Sequence, residues 1–584
     1  MFHLSENSKK LNVLDKTGDI IDNISRQPCV EFIILPFYKN ITSIPSNLYR
    51  NLLNFINNCN EKSIFIILTS PICAVDFCSN IHNHLFLKLW IAVKTKYDDI
   101  SCENLPSSHS SLLILTKNKD SLKHTKTRIA YTYCPYCKKT TKDYGGKKHL
   151  YHEFGTLISD VWRHISISYN EYPSTIIDIL RDLFGLDPYI NLNVYDQRNI
   201  YVDNHCTNKY IEYKETVNNI NKSNLYNGDC IEILKSIPNN SIDFCFADPP
   251  YNINKKYNNW NDGIDIKKYF EWCDLWLAEL ARIIKPGKTL AILNIPQWCI
   301  RHYHFLSSLM DFQNWIVWDA LSLPVRMIMP AHYSIICFTK GKPEILPGIT
   351  RKINSMLEET SLRTVSDKYC SRMNCIEERN SLKIKDKENI SDLWWNIHRI
   401  KHNSKRSDHP CQLPPNLMFR LISLFTNTGD VVLDPFNGVG TTTLSADILK
   451  RIYIGIELSE YYHGISIKRH NEILSNIDPF RKLHNNIPIA KNSRVSRLNK
   501  QCYIVSKKNL QLEVKRIKIE LGKMPTRSDI IQFGKYPIEY YDKYFIDWGE
   551  VTAAAKTTGM TEYKNSNQDT KQFSLFDVIK RNEH

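Results

Sequence analysis

Short apolar runs that stop abruptly organise the second half of the chain. Ile242-Asp243-Phe244-Cys245-Phe246-Ala247 is almost continuously apolar and ends in Asp248-Pro249-Pro250-Tyr251. A run of that length closed by two prolines predicts a buried strand whose C-terminal end is a rigid loop. Standing alone, the same tetrapeptide would also suit a simple Pro-containing turn. Val431-Val432-Leu433 leads through Asp434-Pro435-Phe436-Asn437 into Gly438-Val439-Gly440, after which Thr441 and Thr442 open a helix. The next run, Tyr453-Ile454-Gly455-Ile456, ends in Glu457. Strand, glycine loop, helix, strand and acid in that order predict a nucleotide-like cofactor site. The glycines let the backbone approach a ligand, and the acid suits ribose hydroxyls. The loop is too short for a phosphate-cradling P-loop and lacks its lysine. The implied fold class is α/β.

These motifs resemble the S-adenosylmethionine-dependent DNA amino-methyltransferases. Asp248-Pro249-Pro250-Tyr251 matches that family's D/N/S-P-P-Y/F motif, and residues 434–442 match its DPFxGxGTT motif. The catalytic motif comes first, which is the order of the β class. Asn227-Gly228-Asp229-Cys230 is similar to the family's turn near the cofactor adenine, and His409-Pro410 with Gln412, Pro414 and Pro415 to a motif preceding a helix at 417–425. The likeness covers about 224–470, with Val439 departing from the usual small residue between the glycines. It implies a Rossmann-like fold that binds S-adenosylmethionine through Asp229, Asp434, Phe436, Gly438, Gly440, Thr441, Thr442 and Glu457. It also implies catalysis by Asp248, Pro249, Pro250 and Tyr251 on a base flipped from duplex DNA. Asp at the first motif position implies adenine N6; cytosine N4 is the alternative.

The first half carries the same rhythm. Residues 107–117 parallel 330–340, Ile158-Ser159-Asp160-Val161-Trp162 parallels Ile390-Ser391-Asp392-Leu393-Trp394, and the helical run 176–184 parallels 417–425. Phe32-Ile33-Ile34-Leu35-Pro36-Phe37-Tyr38 stands where the catalytic turn would be, and Gly18-Asp19 where Gly228-Asp229 is. Leu35 replaces the catalytic aspartate, and Leu192-Asn193-Val194-Tyr195-Asp196 runs on without a Gly-x-Gly loop. Residues 1–204 are therefore expected to be a degenerate methyltransferase-like domain, a dimer partner built into the same chain.

Composition adds a partner and removes several classes. The chain has 584 residues and a net charge of +15, which favours a polyanion such as DNA. Hydrophobic residues make up 42% and charged residues 23%, an ordinary globular balance. The first twelve residues lack the apolar core of a secretory signal, and the most apolar stretch, 64–77, is too short to span a bilayer. Seventeen scattered cysteines fit reduced thiols in a cytoplasmic protein.

One candidate ligand set, a charged interval and a tail remain. In an insertion at 130–157, Cys134 and Cys137 are followed by His149 and His152, a C-x2-C-x11-H-x2-H spacing that suits structural zinc. The neighbouring Gly145-Gly146-Lys147-Lys148 equally suits a phosphate backbone, with the cysteines as ordinary buried residues. The charged interval 342–389, holding Cys370 and Cys375, corresponds to the family's target recognition region. Beyond the catalytic domain at 220–475, a basic linker (476–500) precedes a small helical domain (501–562). Helices are expected over 509–521, 526–533, 538–544 and 548–557, with Gly522 as a C-cap. The pattern around Gly522-Lys523-Met524-Pro525-Thr526 and Phe545-Ile546-Asp547-Trp548 resembles DNA-binding repeats found beside homing nucleases. Within the tail, 563–584, Gln572-Phe573-Ser574-Leu575-Phe576 is similar to the peptide that docks in the bacterial sliding clamp. Together these features point to an orphan or restriction-associated DNA methyltransferase. A non-catalytic DNA-binding scaffold of the same fold is the rival from another class.

Overall fold

Every residue of Ile242–Ala247 is buried, because the strand is flanked by partners on both sides and covered on both faces. It lies inside an eight-stranded sheet ordered Asn224–Asn227, Ile452–Glu457, Val431–Asp434, Ile242–Ala247, Ile284–Asn294, His332–Thr339, Asp311–Asp319 and Leu393–Trp394. The first five strands run parallel, and His332–Thr339 is antiparallel to both its neighbours. In this computed structural model the described residues are 13–16, 20, 24–36, 44–81, 85–96, 104–118, 127–129, 133–140, 156–184, 191–198, 210, 213–253, 263–320, 332–350, 362–364, 373–383, 387–397, 399, 412–480 and 507–555, apart from single positions or pairs within them.

A second sheet is built from the first half. Its order is Val13–Lys16, Leu192–Asp196, Val30–Ile34, Ile64–Thr69, His109–Thr116, Phe86–Thr95 and Val161–Ile167. Strand for strand this repeats the other sheet, including the one antiparallel member, with a single omission. Among the described residues no strand stands where Ile452–Glu457 lies: Leu192–Asp196 pairs directly with Val13–Lys16. Leu35 is the first residue after its strand, as Asp248 is after Ile242–Ala247, and Leu35 is buried. The apolar stretch at 64–77 is a strand and the start of the helix Pro71–Asn80, with Ser70 as N-cap and Pro71 in its first turn. No helix among the described residues is long and apolar enough to cross a membrane.

The two sheets share one core. A single apolar cluster runs from Phe55, Phe65 and Trp90 to Trp276, Trp298 and Trp315. Along the seam, His109 Nδ1 lies 3.0 Å from Asp392 Oδ1, and His332 Nδ1 lies 3.0 Å from Asp160 Oδ2. Each histidine thus meets the aspartate of the other half, at the positions that are parallel in sequence. Asp392 Oδ1 also accepts the Ser108 N–H at 2.7 Å. Trp162 and Trp394 each donate their indole N–H to the carbonyl three residues back, Ser159 and Ser391. The parallel sequences therefore build the same local turn twice.

The C-terminal residues form helices Lys507–Leu521, Arg527–Phe533, Ile538–Tyr544 and Trp548–Val551 around Leu510, Val514, Ile517, Ile530 and Tyr541. Gly522 is left-handed (φ 66°), and Thr526 forms a capping box with Asp529. The last helix is described over Trp548–Val551, with the Thr552 hydroxyl turned back to the Trp548 carbonyl, and most of the expected stretch to 557 lies outside the described residues. In the charged interval 342–389, Leu362–Thr364 pairs with Lys387–Asn389, and Met373–Ser381 is helical. The charged sequence there gave no sign of that helix. Gly18-Asp19, His149, His152, Cys370, His409-Pro410 and Gln572 to Phe576 lie outside the described residues.

Candidate active site

The strand ends of the eight-stranded sheet bring together the residues that the motifs single out. Asp248 leaves the buried strand half-exposed, and its Oδ1 accepts the Tyr251 hydroxyl at 2.9 Å. The Asp-Pro-Pro-Tyr turn is fixed from outside. Tyr269 donates its hydroxyl to the Pro250 carbonyl at 2.6 Å, and Trp298 donates its indole N–H to the Tyr251 carbonyl at 2.8 Å. Asn252, left-handed at φ 55°, closes the turn by bonding both backbone groups of Ile264. The Tyr251 ring is buried and tilted toward Tyr333, 6.0 Å between centroids. Tyr269, Trp298 and Asn252 were not evident as site residues from sequence, because the first two occupy helix positions that look like ordinary core.

On the neighbouring strand, Asp434 is buried at the end of Val431–Asp434 and accepts the Phe436 N–H at 2.9 Å. Burial, and then the carboxylates of Asp248 and Glu457, push its carboxyl up to about 7; bonds from Thr442 and Phe436 oppose the rise. The two aspartates and Glu457 are therefore electrostatic neighbours. Phe436 packs edge-on against Trp276, 5.2 Å between centroids.

The glycine loop turns on two left-handed residues, Gly438 (φ 51°) and Gly440 (φ 87°). A Cβ on Gly440 would stand 2.4 Å from Ser466 Oγ. Asn437 braces the loop: it donates to Ser466 Oγ at 3.0 Å and accepts the Thr443 hydroxyl at 2.9 Å. Thr441 and Thr442 start the helix Thr441–Ile448, and the Thr442 hydroxyl donates to Met418 Sδ at 3.2 Å. Glu457 lies across this loop. Its Oε2 accepts the Gly438 N–H and its Oε1 the Ser459 N–H, each at 2.8 Å, and burial raises its pKa against those bonds. The Gly228 N–H bonds the Glu457 carbonyl at 3.0 Å, while Asp229 Oδ1 caps the helix Cys230–Ser236. Asp229 thus has a structural task that the motif did not disclose.

The candidate metal ligands are only partly described. Cys134 and Cys137 lie on and beside the hairpin Tyr133–Cys134/Lys139–Thr140, and the thiol group that approaches them is Cys375 of the second half.

Residues 242–468 match the family model described as DNA methylase, N6_N4_Mtase. The chain is 34% identical over 290 residues to the type II methyltransferase M.BamHI of Bacillus amyloliquefaciens, covering 47% of this chain and 64% of that enzyme. It is 31% identical over 245 residues to M.HpaI of Haemophilus parainfluenzae, covering 41% of this chain and 72% of that enzyme. It is 28% identical over 258 residues to M.ScaI of Streptomyces caespitosus, covering 42% and 80%. With the strand-end carboxylates, the glycine loop and these relatives in place, the chain belongs to the N6/N4 DNA methylase family.

Proposed function

We infer that the chain is a site-specific DNA methyltransferase that uses S-adenosylmethionine and methylates adenine N6 in duplex DNA. The observation that carries this reading is the convergence of Asp248, Asp434 and Glu457 around a left-handed glycine loop. The donor set fits that cofactor. Each Glu457 oxygen has accepted one backbone N–H and keeps a lone pair, which suits two ribose hydroxyls. Asp434 and Asp248 supply negative charge for a sulfonium, and the Phe436 ring offers an apolar face. When bound, S-adenosylmethionine supplies an electrophilic methyl on positively charged sulfur.

The rest of the chemistry belongs to the chain. An exocyclic amine is a poor nucleophile because its lone pair is delocalised into the ring. Asp248 and a backbone carbonyl of the Asp-Pro-Pro turn accept its two N–H bonds and draw the nitrogen toward tetrahedral geometry. The N–H held by Asp248 is the bond along which the proton leaves once the new N–C bond forms. Tyr269 and Trp298 keep the turn in place, so that positioning rather than a metal or a covalent intermediate lowers the barrier. Tyr251 receives the extruded base, which must leave the stack to reach Asp248.

The family includes both amino targets, so cytosine N4 is the alternative acceptor. A scaffold that binds DNA without catalysis is the rival of a different class. Nucleoside mass spectrometry of DNA from cells expressing wild type and Asp248→Ala separates all three. N6-methyladenine in the wild type alone supports the reading, N4-methylcytosine selects the alternative, and identical DNA in both refutes the mechanism.

In the same reading the first half is a degenerate copy that acts as a built-in partner. The shared strand order, the missing Glu457 strand and the crossed histidine–aspartate pairs support it. The helical C-terminal module is assigned to DNA, and Gln572 to Phe576 to a sliding clamp. Clamp capture by wild type but not by Leu575→Ala/Phe576→Ala tests the last assignment.

A further inference from the structure

Cys134 and Cys375 are separated by 241 residues of chain, yet their sulfurs lie 3.8 Å apart. The Cys137 thiol joins them, and all three ligand atoms lie within 4.8 Å of one another. No other three Cys, His, Asp or Glu groups among the described residues converge this way. Cys134 and Cys375 are buried, Cys137 is half-buried, and none is in a disulfide.

The spacing has a chemical meaning. A disulfide needs sulfurs about 2 Å apart. Thiolates at two corners of a zinc tetrahedron, each about 2.3 Å from the ion, stand about 3.8 Å apart by geometry. The backbone also prepares the site. Cys134 pairs with Lys139 across the hairpin, and Lys138, left-handed at φ 53°, closes the turn that returns Cys137 toward Cys134. Cys375 comes from the helix Met373–Ser381. One turn further along the same helix, the fully buried Arg379 places its guanidinium 5.9 Å from the Tyr136 ring centre. Helix and hairpin therefore meet through Cys375 and Arg379 on one side and Cys134, Tyr136 and Cys137 on the other, and the cysteines are not filling a gap at random.

We propose that Cys134, Cys137 and Cys375 hold a structural Zn²⁺ that clamps the insertion of the first half to the recognition interval of the second. The ligand set differs from the one the local spacing suggested, because its third thiolate is supplied across the seam. Binding releases the thiol protons, leaving three sulfur–metal bonds and one coordination position for a further group. A tie of this kind closes a loop of more than two hundred residues and fixes the recognition interval relative to the first half. The proposal stands on sulfur geometry and does not depend on the methyltransferase reading.

The test uses the full-length chain purified without chelator. Elemental analysis should give about one zinc per chain, and zinc-edge X-ray absorption a shell of at least three sulfurs near 2.3 Å. Mercurial titration of the wild-type thiols should release the zinc, which avoids any variant that fails to fold. Cys375→Ser should lower zinc content at least tenfold, and His149→Ala/His152→Ala should keep at least three sulfur ligands. A zinc-free protein, fewer than three sulfurs, or a peptide cross-linked between Cys134 and Cys375 overturns the proposal. So does a Cys375→Ser protein that keeps its zinc.

Discussion

Trp90 lies flat on Trp315, with ring centroids 4.3 Å apart and planes 7° from parallel. The two residues occupy corresponding strands, Phe86–Thr95 and Asp311–Asp319, one from each half. The stack therefore sits on the pseudo-twofold seam that His109–Asp392 and His332–Asp160 also mark.

Trp315→Ala should cost about 3–5 kcal/mol, the usual range for emptying a buried tryptophan site. Because one apolar cluster runs through both halves, the loss should also uncouple them. The expected calorimetric trace is two separated transitions in place of one. Trp315→Phe should be much milder, because the buried indole N–H of Trp315 has no acceptor among the described residues and its removal relieves a desolvated donor. An unchanged single transition in Trp315→Ala would show that the halves melt independently of this stack.

Asp434 sets a pH dependence with a definite sign. Burial, aided by Asp248 and Glu457, raises its folded carboxyl to about 7 from an ordinary 3.8. The stability it contributes is complete below the unfolded value and is lost as pH rises through 7. Asp434→Asn removes this loss, and the amide oxygen can still accept the Phe436 N–H. The Tm difference, variant minus wild type, should grow by several degrees from pH 4 to pH 8. A flat difference would mean that the carboxyl ionises without penalty. Cofactor affinity offers a second reading of the same group. A sulfonium favours the ionised carboxylates, so S-adenosylmethionine should bind more tightly from pH 6 to 8, with little change for the neutral thioether S-adenosylhomocysteine.

At Asp248 the prediction separates acceptance of an N–H from charge. Asp248→Ala removes the acceptor and should lower kcat by about 10³-fold or more, in the range for loss of a preorganised electrostatic contact. Asp248→Asn keeps one carbonyl acceptor and should fall between wild type and alanine. Tyr251→Phe loses the 2.9 Å bond to Asp248 and keeps its ring, so its loss should be smaller than that of Tyr251→Ala. Single-turnover methylation of duplex DNA measures the series. Equal activity of Asp248→Ala and wild type would remove the carboxylate from the chemistry.

The strand that ends in Asp248, the glycine loop and Glu457 were legible in sequence for a local reason: short apolar runs ended by Pro, Gly or an acid. Gly522 and Thr526 were legible as helix punctuation, and both take the expected cap conformations. What was not legible is tertiary. Nothing near Cys134 announces Cys375, and nothing near His109 announces Asp392. The absence of a Gly-x-Gly loop after Leu192–Asp196 was visible. That the strand matching Ile452–Glu457 is also missing appears only when the chain is laid into a sheet. Tyr269 and Trp298 hide for a third reason: a residue that supports an active-site turn through its polar tip has the periodicity of plain core.

Gly440 tests which of two constraints shapes the glycine loop. Its φ of 87° costs a side-chain-bearing residue about 1–2 kcal/mol. Separately, any Cβ there meets Ser466 Oγ at 2.4 Å, and Ser466 is tied to Asn437, which braces the loop. Alanine suffers from both; asparagine tolerates the left-handed backbone but has the same Cβ. If packing dominates, Gly440→Ala and Gly440→Asn should lose Tm and S-adenosylmethionine affinity by similar amounts. If φ dominates, asparagine should recover most of what alanine loses. The 2.4 Å approach predicts the first outcome, because the helix that carries Ser466, Glu460–Leu474, cannot retreat without dragging Asn437 and the loop with it.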